Sequence, residues 1–313
     1  MLHFYRTDDQ KIHEEARMGD GVWVHMVAPT RDEIGRVSRF ARVDADDLAA
    51  ALDEEETSRL DLNDDYTLIL VDIPAQEVRH EERAWTTIPL GMLLARNMII
   101  TVCTEDTPIL QRFVRGEVKE FSTKKRLRFI YQILLYSALL YQSSLRILDR
   151  KRVELEEAAM DASDDIDLMA LHELESTLVY FATSLRANNV IIDRLTRYRR
   201  LEQYPDDQEL LEDVLVETKQ AIEMTGIYRD ILTGTRELLS AVINNRLNNV
   251  MKYLTSITLV MAIPTVISGL YGMNVDGQWM PLSSTPHGFA IICALIVVIC
   301  VVVLLILWRK KML

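Results

Sequence analysis

From Tyr253 to Val275 no residue carries a charge, yet one face of that run is small or polar. Asn248, Thr255, Ala262 and Gly269 recur every seven positions, and Met251, Thr258, Thr265 and Gly272 follow each by three, so all eight share one stripe of a helix. A stripe of this kind either lets a second helix approach closely or lines a polar pore. Two spans cannot enclose a pore alone, so the second reading requires an oligomer. Catalytic chemistry finds no comparable constellation. The six histidines, His3, His13, His25, His80, His172 and His287, show no ligand spacing, and no Gly-x-x-x-x-Gly-Lys run offers an ATP site. Cys103, Cys293 and Cys300 form no CxxC pair, which argues against thiolate metal binding and disulfides alike.

Two elements must hold the stripe in a membrane. Tyr253–Val275 and Gly288–Trp308 are each uncharged over the roughly 20 residues that cross a bilayer as helix. The loop between them, Asp276–His287, lacks Lys and Arg and contains Trp279, a residue of the headgroup level. Arg246 and Lys252 precede the first span, and Arg309, Lys310 and Lys311 follow the second. The positive-inside rule therefore predicts a multi-pass protein of the cell membrane with both termini cytoplasmic. No apolar core marks Met1–Asp20 as a cleaved signal. A net charge of −12 excludes nucleic acid as a natural partner and suits a protein that meets cations.

Upstream, runs rich in β-branched and aromatic residues at Gly21–Val27, Tyr66–Ile73, Trp85–Leu94 and Asn97–Thr104 read as strands. Thr30 and Glu33 have capping-box spacing and open a helix. The first 115 or so residues are thus expected to form a mixed layer on a small sheet. After Lys124 long helical periodicity takes over, with a second run from about Asp165 to Leu201, which predicts an antiparallel hairpin. Its tip is acidic: Glu154, Glu156, Glu157, Asp161, Asp164, Asp165 and Asp167. That cluster is either a solvated helix end or a ring that attracts cations once copies assemble.

No proline interrupts Asp206 to Pro264, so one helix should run into the first span and reach Asn274, on the order of 100 Å in all. Its soluble part repeats by sevens, as Leu211, Thr218, Thr225, Leu232 and Leu239, with Val214, Ala221, Tyr228, Thr235 and Val242 offset by three. This is a seam for neighbouring helices. The expected fold is an α+β cytoplasmic domain, an α/β/α layer plus long helices, joined by a stalk helix to two C-terminal transmembrane helices. The divisions are 1–120 for the layer, 121–205 for the hairpin, 206–252 for the stalk, 253–275 and 288–308 for the spans, 276–287 for the outer loop and 309–313 for a basic tail.

Tyr271-Gly272-Met273-Asn274 closes the first span, and here the chain resembles the CorA family, marked by Gly-Met-Asn after the first of two C-terminal spans. Asn248, Val250-Met251-Lys252, Leu254-Thr255, Pro264-Thr265, Gly269 and Met280-Pro281 also stand as in that family. The resemblance implies a homopentamer that carries magnesium, with cobalt or nickel as incidental ions. In it the first span would line the pore and the second would face lipid. Gly272, Met273 and Asn274 would form the selectivity motif. Asn248, Met251, Leu254, Thr255, Thr258, Ala262, Thr265 and Gly269 would line the pore, with Met251 and Leu254 at the hydrophobic constriction. Lys252, Arg309, Lys310 and Lys311 would form a basic cytoplasmic ring. Because magnesium releases its water reluctantly, five Asn274 amide oxygens can face the hydrated ion without stripping it, and Gly272 would permit a tight turn. A divalent ion gains roughly 4.6 kcal/mol in crossing 100 mV, at about 2.3 per charge, which is enough to drive passive uptake.

The resemblance also implies feedback: magnesium bound between subunits at Asp213 and Glu237 would hold the channel shut. Family members carry an acidic pair where this chain has Ala49 and Ala50, leaving Asp46, Asp47 and Asp53 as substitutes. Leu282 stands where many relatives have an acid after Met-Pro, and Ala262 is smaller than usual, which shifts the expected narrowest point toward Leu254. Two other readings remain: a zinc transporter of the same superfamily, which Met273 argues against, and a membrane-anchored signalling or scaffold protein, which leaves the polar stripe without a role.

Overall fold

The computed structural model describes residues 1–8, 11–79, 82–160, 168–197, 205–276, 278, 280–282 and 285–310. The chain forms two compact units, Met1–Thr235 and Arg236–Leu313. Along the chain run β1 (Leu2–Asp8), β2 (Lys11–Glu14), β3 (Trp23–Val27), α1 (Arg31–Ala41), α2 (Ala45–Ala49), a 3-10 turn (Ala50–Leu52), β4 (Arg59–Leu62), β5 (Tyr66–Arg79), β6 (Glu82–Ala95) and β7 (Met98–Cys103). Then come α3 (Pro108–Val114), α4 (Arg126–Met160), α5 (Leu168–Arg197), α6 (Pro205–Tyr271) and α7 (Gly288–Arg309).

The first unit is built on one sheet of seven strands in the order β2-β1-β3-β7-β6-β5-β4, with β3 and β7 parallel and every other pair antiparallel. This corrects the expectation of a small sheet. The strands missing from the sequence reading are β1 and the two edge strands, whose residues, Lys-Ile-His-Glu in β2 and Arg-Leu-Asp-Leu in β4, are charged because edges face water. β5 and β6 also extend well past the expected apolar runs, pairing through Arg79 and Glu82.

Alternation along the central strands feeds two cores. Ile99 and Cys103 of β7 join Trp23, Phe113, Phe121, Phe129 and the apolar faces of α4, α5 and α6, while Met98, Ile100 and Val102 join Ile34, Val37 and Leu48 under α1 and α2. The α/β/α layer is therefore as expected. Trp23 anchors the first core: its indole donates to the Thr101 hydroxyl at 2.8 Å, and Phe129 meets it edge-on at 5.0 Å between ring centres. α1 opens with the expected capping box, in which Thr30 and Glu33 bond each other's backbone.

His25 is a core residue. Its Nδ1 lies 3.0 Å from the Thr101 hydroxyl, and burial holds it down to about 4, so it stays neutral. Burial likewise pushes the Cys103 thiol up to about 12, far from a reactive thiolate. Farther along the sheet, on the long β5–β6 ribbon, Asn188 of α5 pairs with both backbone groups of Asp72 in β5, accepting from its N–H at 3.0 Å and donating to its carbonyl at 2.7 Å. Asp72 faces Pro89 on β6 and lies past the end of β4, so the carboxamide completes what neither strand can supply.

The long helices pack as the heptads require. Leu211, Val214, Thr218, Ala221, Thr225, Leu232 and Thr235 are buried. Gln142 of α4 donates to the Glu217 carbonyl of α6 at 3.0 Å, and Arg152 of α4 donates to Thr235 at 3.4 Å, so the seam closes within the chain, against α4. Of the acidic tip, Glu156 pairs with Arg152 at 2.5 Å, Glu154 and Glu157 are exposed, and Asp161, Asp164, Asp165 and Asp167 lie outside the described residues.

Candidate ion pathway

Two helices, α6 and α7, are long and apolar enough to cross a membrane. α6 ends at Tyr271, three residues before the expected Asn274. Its apolar stretch has three kinds of surface. The side toward α7 holds Ser256, fully buried, and the half-buried Val260, Ile263, Pro264 and Ile267. Pro264 has no N–H for the Val260 carbonyl, and the Cys300 thiol of α7 lies 3.9 Å from that oxygen, the place of a weak S–H donor. Ile257, Leu259, Met261, Val266 and Leu270 form exposed apolar surface, suited to lipid.

The third surface is the stripe. Asn248, Met251, Leu254, Thr255, Thr258, Ala262, Thr265 and Gly269 are all exposed. The same seven-residue register that α4 covers in the first unit is thus bare here. The Thr258 hydroxyl donates to the Leu254 carbonyl at 2.8 Å and Thr265 to Met261 at 2.9 Å. With their protons turned into the helix, these hydroxyls present lone pairs outward, an acceptor surface that favours cations.

Beyond α6 the Gly272 N–H still bonds the Ser268 carbonyl at 2.9 Å. Gly272 does not use a left-handed backbone. What it supplies is room: a Cβ there would crowd the Ser268 carbonyl at 3.3 Å. Met273 and Asn274 are exposed, and the Asn274 carboxamide has no partner among the described residues. Asp276 accepts from the Gln278 N–H at 3.4 Å, and Leu282 turns the loop with a φ of 68°. Trp279 and Lys311 lie outside the described residues, while Lys252, Arg309 and Lys310 are exposed.

The expected control residues come from α6 and from the segment around α2. Asp213 and Glu237 are exposed on α6. Asp46 is exposed, Asp53 accepts from the Glu55 N–H at 3.1 Å, and Asp47 is engaged by Tyr66 and by Arg59 at 3.5 Å. That Asp47 contact contributes to pushing the Tyr66 hydroxyl up to about 12, after burial as the first cause. Among the described residues no group of three or more His, Cys, Asp or Glu side chains could hold a metal. Ala50 and Ala51 are buried and Ala49 is half-buried, and Ala51 packs where a side chain on Gly91 of β6 would stand. Sequence reasoning missed Arg59, which sits among Asp47, Glu56 and Asp61 and supplies that corner with its own cation.

A layered α/β unit, a long helix and two C-terminal apolar helices, the first with a bare polar stripe, define a two-span membrane transport protein rather than an enzyme. The chain belongs to the CorA-like Mg2+ transporter family, whose profile matches residues 19–311. It is 31% identical over 310 residues to the cobalt/magnesium transport protein CorA of Methanocaldococcus jannaschii, covering 96% of this chain and 93% of that one. The counterpart in Thermotoga maritima is 22% identical over 319 residues, covering 98% and 88%. The complete structure of the Methanocaldococcus jannaschii CorA magnesium transporter matches with a TM-score of 0.83 at 26% identity, over 99% of this chain and 98% of that one.

Proposed function

We propose that the chain assembles as a homopentamer in the cell membrane and conducts magnesium passively inward, drawn by the membrane potential. The observation that carries this reading is the stripe on α6, which is small or polar apart from Met251 and Leu254, exposed, turned away from α7 and continued by Asn274, whose carboxamide has no partner among the described residues. A surface of that kind at bilayer depth needs water or other copies of itself to face. Copies arranged around an axis give it both. Asn248 then stands at the cytoplasmic end of the pore, Met251 and Leu254 at a constriction that closes by dewetting, and five Asn274 amides at the outer mouth. Purified protein in proteoliposomes, offered magnesium, cobalt, nickel or zinc separately under a negative internal potential, should take up magnesium fastest. A zinc preference would replace the ion, and no flux of any would refute the pore.

Control belongs to the same reading. Asp213 and Glu237, exposed on α6, are free to meet acidic groups of a neighbouring copy, where a bound divalent ion relieves the repulsion and favours the closed, symmetric state. Asp46, also exposed, is a better partner than Asp47, which Arg59 and Tyr66 already occupy. Asp213→Lys should then leave uptake running at internal magnesium that silences the wild type. Equal inhibition of both proteins would remove Asp213 from the mechanism.

A further inference from the structure

We propose that Tyr271 is a positioning residue for ion recognition, closing the outer loop so that Asn274 is held in place before the ion arrives. The proposal rests on the reading of Asn274 as the residue at the mouth. Tyr271 is the last residue of α6, and its hydroxyl donates to the Pro281 carbonyl at 2.7 Å, ten positions along the chain. Inside the ring so formed the described bonds are local ones, Val275 N–H to the Met273 carbonyl at 3.0 Å and Gln278 N–H to Asp276 at 3.4 Å. Neither reaches across the loop.

The far side of the bond is fixed. The Leu282 carbonyl accepts the Thr285 hydroxyl at 2.8 Å, and the Gly288 N–H bonds the Thr285 carbonyl at 3.0 Å. Leu282 presses so closely on the start of α7 that a Cβ on Gly288 would lie 2.1 Å from its oxygen. Pro281 is therefore the edge of a turn seated on α7, and Tyr271 hooks the end of α6 to it. The segment carrying Met273, Asn274 and Asp276 is fastened at both ends. Without the hydroxyl none of the bonds among the described residues joins the end of α6 to Pro281, and part of the ordering falls to the ion-binding step, which weakens binding without changing any group that touches the ion.

Tyr271→Phe keeps the ring and removes only the hydrogen bond. In proteoliposomes it should raise the magnesium concentration for half-maximal uptake by at least about three- to tenfold, the size of one net hydrogen bond in a single subunit, with the maximal rate held within about twofold. Amide exchange at Met273–Gln278 should quicken in the same variant. A merely structural role would lower the thermal stability of the oligomer and leave half-saturation unchanged, and that result overturns the proposal. Asn274→Ala measured alongside separates the two claims. If it transports normally, the reading of the mouth fails; if it is inactive while Tyr271→Phe saturates like the wild type, only the positioning role fails.

Discussion

Asn274→Ala is expected to abolish selective magnesium uptake while the protein still assembles and still melts at the wild-type temperature. The side chain is exposed, packs in no core and has no hydrogen-bond partner among the described residues, so removing it costs the fold almost nothing. What it removes is the neutral oxygen. A hydrated magnesium ion holds its water tightly, and a mouth that binds it must accept hydrogen bonds from that water shell. One substitution in the chain deletes the carboxamide from every subunit at once, so a symmetric ring loses all its acceptors together. At about 1 kcal/mol for each of five such bonds the loss is on the order of a thousandfold or more in occupancy of the mouth. A substitution on the lipid-suited surface, such as Val266→Ala, should by contrast leave uptake within about twofold. Normal magnesium uptake by the Asn274→Ala protein would remove the motif from ion recognition.

How much of this is legible without coordinates differs from element to element, for physical reasons. The spans are legible because an uncharged run of that length has no other stable home, and α1 because Thr30 and Glu33 carry their cap in the sequence. The stripe is legible because helical register is local. Which side of α6 meets α7 is not: the most buried position of the span is the polar Ser256, and Val260 takes its partner from Cys300, forty residues away. The edge strands β2 and β4 escape because an edge strand is selected for charge rather than apolar alternation. Asn188 pairing with Asp72 and Tyr271 reaching Pro281 are single contacts between segments with no shared pattern, and a one-dimensional reading has no period to detect them by. The seam of α6 lies between these cases. Its heptads announce a helical neighbour, but Gln142 and Arg152 of α4 identify which one.

The start of α6 supplies the other large effect. Arg128 of α4 and Asp207 in the first turn of α6 are 3.2 Å apart, and both are largely withdrawn from water, with side chains 15% and 6% exposed. Glu120 takes a second hydrogen bond from the same guanidinium. Removing one partner of such a pair strands the other as a buried charge, which costs about 3–5 kcal/mol, whereas removing both is often close to neutral. The dipole of α6 softens the penalty for Asp207, since a carboxylate is favoured at a helix N-terminus, which places the expected cost of Arg128→Met at about 3 kcal/mol. In a chain of this size that lowers the melting temperature on the order of 10 °C. The double variant Arg128→Met, Asp207→Asn should recover most of the loss, because the one carboxylate then left without its partner, Glu120, is 69% exposed and stays solvated. Coupling of that sign shows that Arg128 holds α6 against α4 through its charge. If the two substitutions simply add, the guanidinium contributes through packing alone, and the pair does not fix the origin of the helix that continues into the membrane.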